Sequence, residues 1–497
     1  PLLSLHYPDK SSCPFLIVSF HIVLVGNCHL HHNTTYRFCQ ETEKHMHNNK
    51  LLQVSMRNKY PFLSGTILLT LTGFLTKIIG FFYRIFLSRS IGEEGMGIYQ
   101  LLAPIMALSY AFTSAGIQTA ISKYTAAYHA QGRKRSALAT LLTGFLLSIL
   151  LSVIATVFLY QNAAMLAARF LLEPRCEPLI RIFALSIPFA SIHSCINGYY
   201  YGLKKTLLPS ASLLVEQLAR VLSVYAIYTY GYTIHTRPTI AVAMLGVLIG
   251  EVCSTLLSTI VLFVQEKQAF HLPASFSARA GGRYTKEIML LALPLMANRL
   301  VLNGLQSIEA VYIPNRLMLY GLSTADSLRC YGVLTGMVLP LLLFPSAITS
   351  SVSVLLLPYI SEAQAVGNHK KIRQAVKKCL LACLLLGSIC CLFLLFFGTF
   401  LGKLLFNSTL AGDYIRMLSI VCPILYMGSV LNSILHGLGR ALSAFLYNVV
   451  SLLLRLAFVF FLIPSIGMYG YLLGIFFSQL LFTALILFSL RRYFLAR

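Results

Sequence analysis

Lys77 and Arg84 stand seven residues apart in a stretch, 62–88, that is apolar enough to enter a bilayer. At 3.6 residues per turn this spacing puts both on nearly one helix face, so a cationic stripe runs down a membrane segment. A charge inside hydrocarbon is costly unless it faces a water-filled cavity or a partner, which makes the two candidate binding residues. The alternative, snorkelling to the headgroups, is hardest for Lys77 near mid-segment and easiest for Arg89, which lies beside Glu93 and Glu94 at the exit. A second polar row, Asn298-Arg299…Asn303…Gln306…Glu309, runs through another apolar segment. Asn303 and Gln306 share a face and read as a binding or gating surface, with helix-to-helix hydrogen bonding as the other explanation. Glu309 suits either a coupling cation or the neutralisation of Arg299. Glu216 and Arg220, at i and i+4, read as an intrahelical ion pair. Arg455 has Ser451 where that acid would be, so it needs a partner from another helix or from a substrate. Glu251 is a lone membrane carboxylate and a candidate site for Na+ or H+, whereas His193 and His436 read as packing residues.

These residues must be positioned by membrane helices. The chain has 497 residues, 57% hydrophobic and only 11% charged, with mean hydropathy +0.76. Soluble domains carry about 25% charged residues, so this is a polytopic membrane protein. A formal charge of +24 would suggest nucleic acid in a soluble chain. Here the basic residues cluster in short loops between apolar segments, where they set topology and meet anionic lipids, and no nucleic-acid partner is expected. The cysteines lie mostly within apolar stretches at no metal-ligand spacing and read as small core residues. There is no P-loop, no metal motif and no nucleophile-base arrangement, so neither an enzyme nor an ATP-driven pump is expected.

From Pro61 onward twelve apolar segments can be drawn, at 62–88, 97–120, 137–160, 178–202, 208–230, 239–264, 287–312, 328–357, 374–402, 414–438, 441–464 and 468–490. Alternate loops carry twenty-one Lys and Arg against nine, which places both termini in the cytoplasm. Residues 1–55 are polar and hold seven of the thirteen histidines; they read as a non-native or disordered extension before a start at Met56. The expected domains are 56–264 and 287–497, joined by a cytoplasmic linker over 265–286. Sliding the chain on itself supports a duplication. Tyr99 falls on Tyr331, and an offset of 235 brings Asn197 onto Asn432 and Arg220 onto Arg455, while Gly246 and Gly250 fall on Gly470 and Gly474 after a contraction. Six helices per repeat gives parallel halves around a central site, able to rock to expose it to either side. The expected fold is thus all-α, with about twelve transmembrane helices in two six-helix repeats.

The block Gly65-Thr66-Ile67…Lys77-Ile-Ile-Gly80-Phe81…Arg84…Arg89…Gly92-Glu-Glu-Gly95-Met-Gly97-Ile-Tyr99-Gln100, followed by Ser114-Ala-Gly-Ile-Gln-Thr-Ala-Ile-Ser-Lys123, resembles polysaccharide biosynthesis proteins of the stage V sporulation protein B group. That group belongs to the multidrug/oligosaccharidyl-lipid/polysaccharide exporter superfamily. The resemblance covers about residues 57–495. It implies two six-helix bundles in a V shape, a cell-membrane location, a Gram-positive spore-forming source, and transport of a lipid-linked sugar intermediate. Lipid II flippases of the same superfamily carry a similar basic block, which maps onto Lys77, Gly80, Phe81 and Arg84. Here the second basic residue comes one position later, and Ile85 replaces the acid that follows it. A polyprenyl-pyrophosphate saccharide needs its water replaced by a lined cavity as it crosses. Arginine and lysine suit the pyrophosphate, which makes Lys77, Arg84, Arg299 and Arg455 candidates in a basic central cavity and Asn298, Asn303 and Gln306 candidates for the sugar. Glu251 and Glu309 are the coupling candidates. The competing readings are a cation-coupled multidrug exporter, whose cavity should favour acids and aromatics, and a membrane glycosyltransferase or polymerase, for which the loops are too short.

Overall fold

The computed structural model describes residues 61–233, 239–266 and 278–495; the extension expected over 1–55 lies outside them. Residues Gly65–Arg497 form one compact unit, and among the described residues all regular structure is helical. Helix α1 (Pro61–Leu101) is followed by α2 (Ala103–Tyr110), a π-helical turn at Ala111–Ala115, and α3 (Gly116–Ala130). The near-continuous run Ile67–Ala130 has 64 residues. At 1.5 Å per residue that is about 96 Å if straight, roughly three hydrocarbon thicknesses, so it must bend to follow a bilayer. Gly92 supplies the bend with φ 74° and ψ −178°, a conformation that a residue without Cβ adopts readily. The first two expected segments are therefore one run broken at a glycine.

The N-terminal half continues through α4 (Lys134–Gln161), α5 (Glu177–Gly202), α6 (Leu207–Thr233) and α7 (Ala241–Gln265). The next helix, α8 (Ala278–Leu319), begins inside the stretch expected as linker, of which 267–277 lie outside the described residues. The eighth expected segment, 328–357, is not one helix. It divides into α9 (Thr324–Gly332), a π-helical turn at Val333–Val338, α10 (Leu339–Leu343) and α11 (Ser346–Ala365). Pro340 and Pro345 stand at the starts of the last two, where a missing N–H is tolerated and an unbroken helix is not. The chain closes with α12 (His369–Phe406), α13 (Thr409–Ser419), α14 (Cys422–Gly437), α15 (Ala441–Phe461) and α16 (Met468–Leu495). Ten described helices are long and apolar enough to cross a membrane, or eleven if α13 and α14, bent by 62°, form one span. Dividing the 64-residue run at Gly92 supplies the twelfth.

Both halves use glycine in the same way. A Cβ on Gly250 would lie 2.7 Å from the Glu216 carbonyl oxygen on α6, and one on Gly474 would lie 2.8 Å from Phe458 Cβ on α15. The last helix of each half thus seats against the helix before it. The halves also cross each other closely, since a Cβ on Gly97 would stand 2.1 Å from the Leu328 carbonyl oxygen. Helix α8 serves both sides. Ile288, Ala292 and Met296 pack with Ile117, Ile121 and Tyr128 of α3, whereas Val311, Ile313 and Leu317 belong to the larger core that includes the C-terminal helices.

Candidate functional site

A cavity of about 660 Å³ is lined by α8, α14, α15 and α16, with contributions from the end of α1, from α2 and from the segment after α8. Periodicity explains how the helices present polar groups to it. Asn303, Gln306 and Glu309 follow one another at intervals of three on α8, Asn448 and Arg455 lie seven apart on α15, and all five line the cavity. At its wall Arg455 meets Glu309 at two points: Nε lies 2.6 Å from Oε1 as an ion pair, and Nη2 donates to Oε2 at 2.8 Å. The Tyr471 hydroxyl donates to Glu309 Oε1 at 2.5 Å. Glu309 is only 4% exposed. A carboxylate so far from water is tolerable because a guanidinium and a phenol replace its hydration. The acid that Arg455 needed from another helix is therefore Glu309.

The N-terminal half builds a different centre around the repeat-related arginine. Arg220 Nη2 lies 2.6 Å from Glu216 Oε1, one turn away on α6, as the spacing led one to expect. Beside it, Glu251 of α7 accepts from the Tyr110 hydroxyl at 3.0 Å. His193 Nδ1 of α5 stands 3.1 Å from Glu251 Oε2. That oxygen is buried, with the imidazole beside it. Ligand atoms of His193, Glu216 and Glu251 all lie within 4.8 Å of one another. Two carboxylates and an imidazole so placed fit a small cation or a shared proton. His193 is thus part of a charged cluster, not a packing residue alone. Its signal in the sequence was weak: two isolated ionisable residues on separate membrane segments, which tend to find each other.

The other basic candidates lie elsewhere. Lys77 is exposed, and its Nζ donates to Ser350 Oγ of α11 at 3.1 Å. Arg84 is half-buried, and no carboxylate reaches it within ion-pair distance among the described residues. Asn298 and Arg299 are exposed, and none of these four lines the cavity. The expectation of a basic central cavity is corrected accordingly: the lining holds one Arg and one Glu, already paired. A helical pattern gives the face on which a residue sits but not what that face meets. Arg89, expected to snorkel, instead donates to the carbonyls of Leu405, at 2.8 Å, and Leu404 in the last turn of α12, where the helix dipole favours a cation. Nearby Arg329 pairs with Glu93. Cavity residues that the sequence reading missed are Gln100, Asn448 and Gln479; Asn432 had been noted only as a repeat match.

The polysaccharide biosynthesis protein family matches residues 62–364, and the MatE family matches residues 316–461. Stage V sporulation protein B of Bacillus subtilis (strain 168) is 30% identical over 435 residues, which cover 86% of this chain and 83% of that protein. Among solved structures, lipid II flippase MurJ in an inward closed conformation aligns with TM-score 0.63 at 15% identity, over 86% of this chain and 87% of the other. The inward-facing conformation of a multidrug resistance transporter of the same superfamily aligns with TM-score 0.62 at 15% identity, over 86% and 98%. At these identities the structural likenesses establish the fold.

Proposed function

The chain belongs to the polysaccharide biosynthesis protein family, and we propose that it is a flippase that carries a polyprenyl-pyrophosphate-linked saccharide or peptidoglycan precursor across the cell membrane. The observation that carries this reading is a cavity of about 660 Å³ whose lining brings side-chain amides and hydroxyls together among otherwise apolar helices. Such a lining replaces the water that a sugar headgroup must shed to pass hydrocarbon. The lipid tail stays in the bilayer, and alternating access of two six-helix halves, with both termini cytoplasmic, moves the headgroup. Lys77 and Arg84 on α1, with Arg299 on α8, are the cations offered to the pyrophosphate. Among the described residues no carboxylate lies within ion-pair distance of exposed Lys77 and Arg299 or of half-buried Arg84 to cancel them. The Glu251 cluster supplies the coupling site for Na+ or H+. Residues of this cluster bind and position the ion; they form no covalent intermediate.

A multidrug exporter is the second reading, favoured by the acids of that same cluster. The main cavity speaks against it, because its one carboxylate is already engaged by Arg455 and offers little to an organic cation. Native mass spectrometry of the detergent-purified full chain with undecaprenyl-pyrophosphate glycolipid tests the choice. Wild type should retain the glycolipid, and Lys77→Ala and Arg84→Ala should weaken it while the protein stays folded. Retention that is indifferent to both substitutions would remove the pyrophosphate role of α1.

A further inference from the structure

The cavity has a polarity that the flippase reading does not by itself specify. Its charged lining is the Glu309–Arg455 pair alone, two-point paired at 2.6 and 2.8 Å, so it offers no net charge. The remainder of its polar lining is mostly amide and hydroxyl. Asn303 Nδ2 donates to the Ala107 carbonyl and Asn448 Nδ2 to the Ala444 carbonyl, each at 3.0 Å. Each bond takes one N–H of its amide, leaving the oxygen as an acceptor and the second N–H as a donor. Asn432 Oδ1 is buried without a donor. Gln306 is exposed to the cavity. Amide oxygens take the O–H and N–H groups of a neutral sugar, and amide N–H groups its hydroxyl and acetamido oxygens. A carboxylate or phosphate would find the one cation of the lining already engaged.

Resting on the flippase reading, we infer that this cavity, built mainly by the C-terminal half, is a seat for an uncharged hydroxyl- and amide-bearing saccharide. It selects against acidic sugars, and the pyrophosphate stays outside it. Phe482 on the same wall supplies an apolar face for the C–H side of a sugar ring. The acidic sugar is disfavoured because its charge would be desolvated beside no free cation of the lining.

The test compares three lipids on the full-length protein by competitive native mass spectrometry. They are polyprenyl-pyrophosphate bearing a neutral N-acetylhexosamine disaccharide, the same carrier bearing a hexuronic acid, and the carrier without sugar. Wild type should retain the neutral glycolipid about tenfold more tightly than either other lipid, the effect of roughly one unsatisfied polar contact. Gln306→Leu and Asn432→Leu should reduce the neutral glycolipid to the level of the bare carrier and leave bare-carrier binding unchanged. Gln306 is exposed and keeps the test valid if the Asn432 variant fails to fold. Equal retention of all three lipids, or preference for the uronic acid, overturns the neutral-sugar seat and leaves the flippase reading standing. Retention of none of them overturns both.

Discussion

Arg220 and Arg455 occupy matching places in the two halves, yet each finds its carboxylate in a different way. In the N-terminal half the acid is Glu216, one turn away on the same helix, and a second acid, Glu251, lies in the same cluster with His193 and Tyr110. In the C-terminal half the acid is Glu309, 146 residues away on α8, with no other carboxylate in the cavity lining. One centre holds two carboxylates beside a titratable imidazole and suits an exchangeable cation or proton. The other is balanced and fastens α8 to α15. The two arginines thus mark a centre with two carboxylates and a titratable histidine and another that is closed on a single ion pair, and the difference follows from where one carboxylate is placed.

The largest expected effect breaks the balanced pair. Glu309→Ala leaves Arg455 buried and uncompensated, which should cost about 3–5 kcal/mol and lower the unfolding temperature in detergent clearly. Glu216→Ala should cost less, because Glu251 remains close to Arg220; equal losses would contradict the asymmetry. The paired substitution Glu309→Leu with Arg455→Met sharpens the same point. It should recover most of the stability, as apolar replacements of buried ion pairs often do, while glycolipid binding in the cavity falls. Next in size, Gly97→Ala forces a Cβ against the Leu328 carbonyl oxygen, where it would stand at 2.1 Å. Such overpacking costs about 1–3 kcal/mol, and a fall in thermal stability, together with altered cross-linking of introduced cysteines between the halves, would register it. The smallest effect is expected at the more exposed Arg329–Glu93 pair. Arg329→Ala should change stability by about 0–1 kcal/mol, and a loss comparable with that of Glu309→Ala would show that the ranking by burial is mistaken.

Much of this asymmetry was legible before the structure, and the part that was not is tertiary. The i, i+4 spacing of Glu216 and Arg220 names its own partner, because helix geometry alone brings them together. Ser451 at the equivalent position announced that Arg455 needed something else, and Asn303, Gln306 and Glu309 announced a polar face on α8. That these two faces meet is a matter of helix packing, which no local period encodes. The same gap explains Lys77, Arg84 and Arg299: their type and spacing were evident, but their position outside the cavity was not. The bends had local causes, at Gly92, Pro340 and Pro345. Their consequence was partly misjudged, since the first two expected segments form one bent run and the eighth is several short helices.

The most direct measurement of the central claim is translocation of a fluorescently labelled polyprenyl-pyrophosphate disaccharide by the full chain in proteoliposomes, read by quenching of label exposed at the outer face. Wild type should move the lipid. The folded Glu309→Leu, Arg455→Met variant should move it at least about tenfold more slowly, the rate equivalent of roughly 1.4 kcal/mol. No movement by wild type, or equal movement by the variant, would contradict a flippase that works through this cavity.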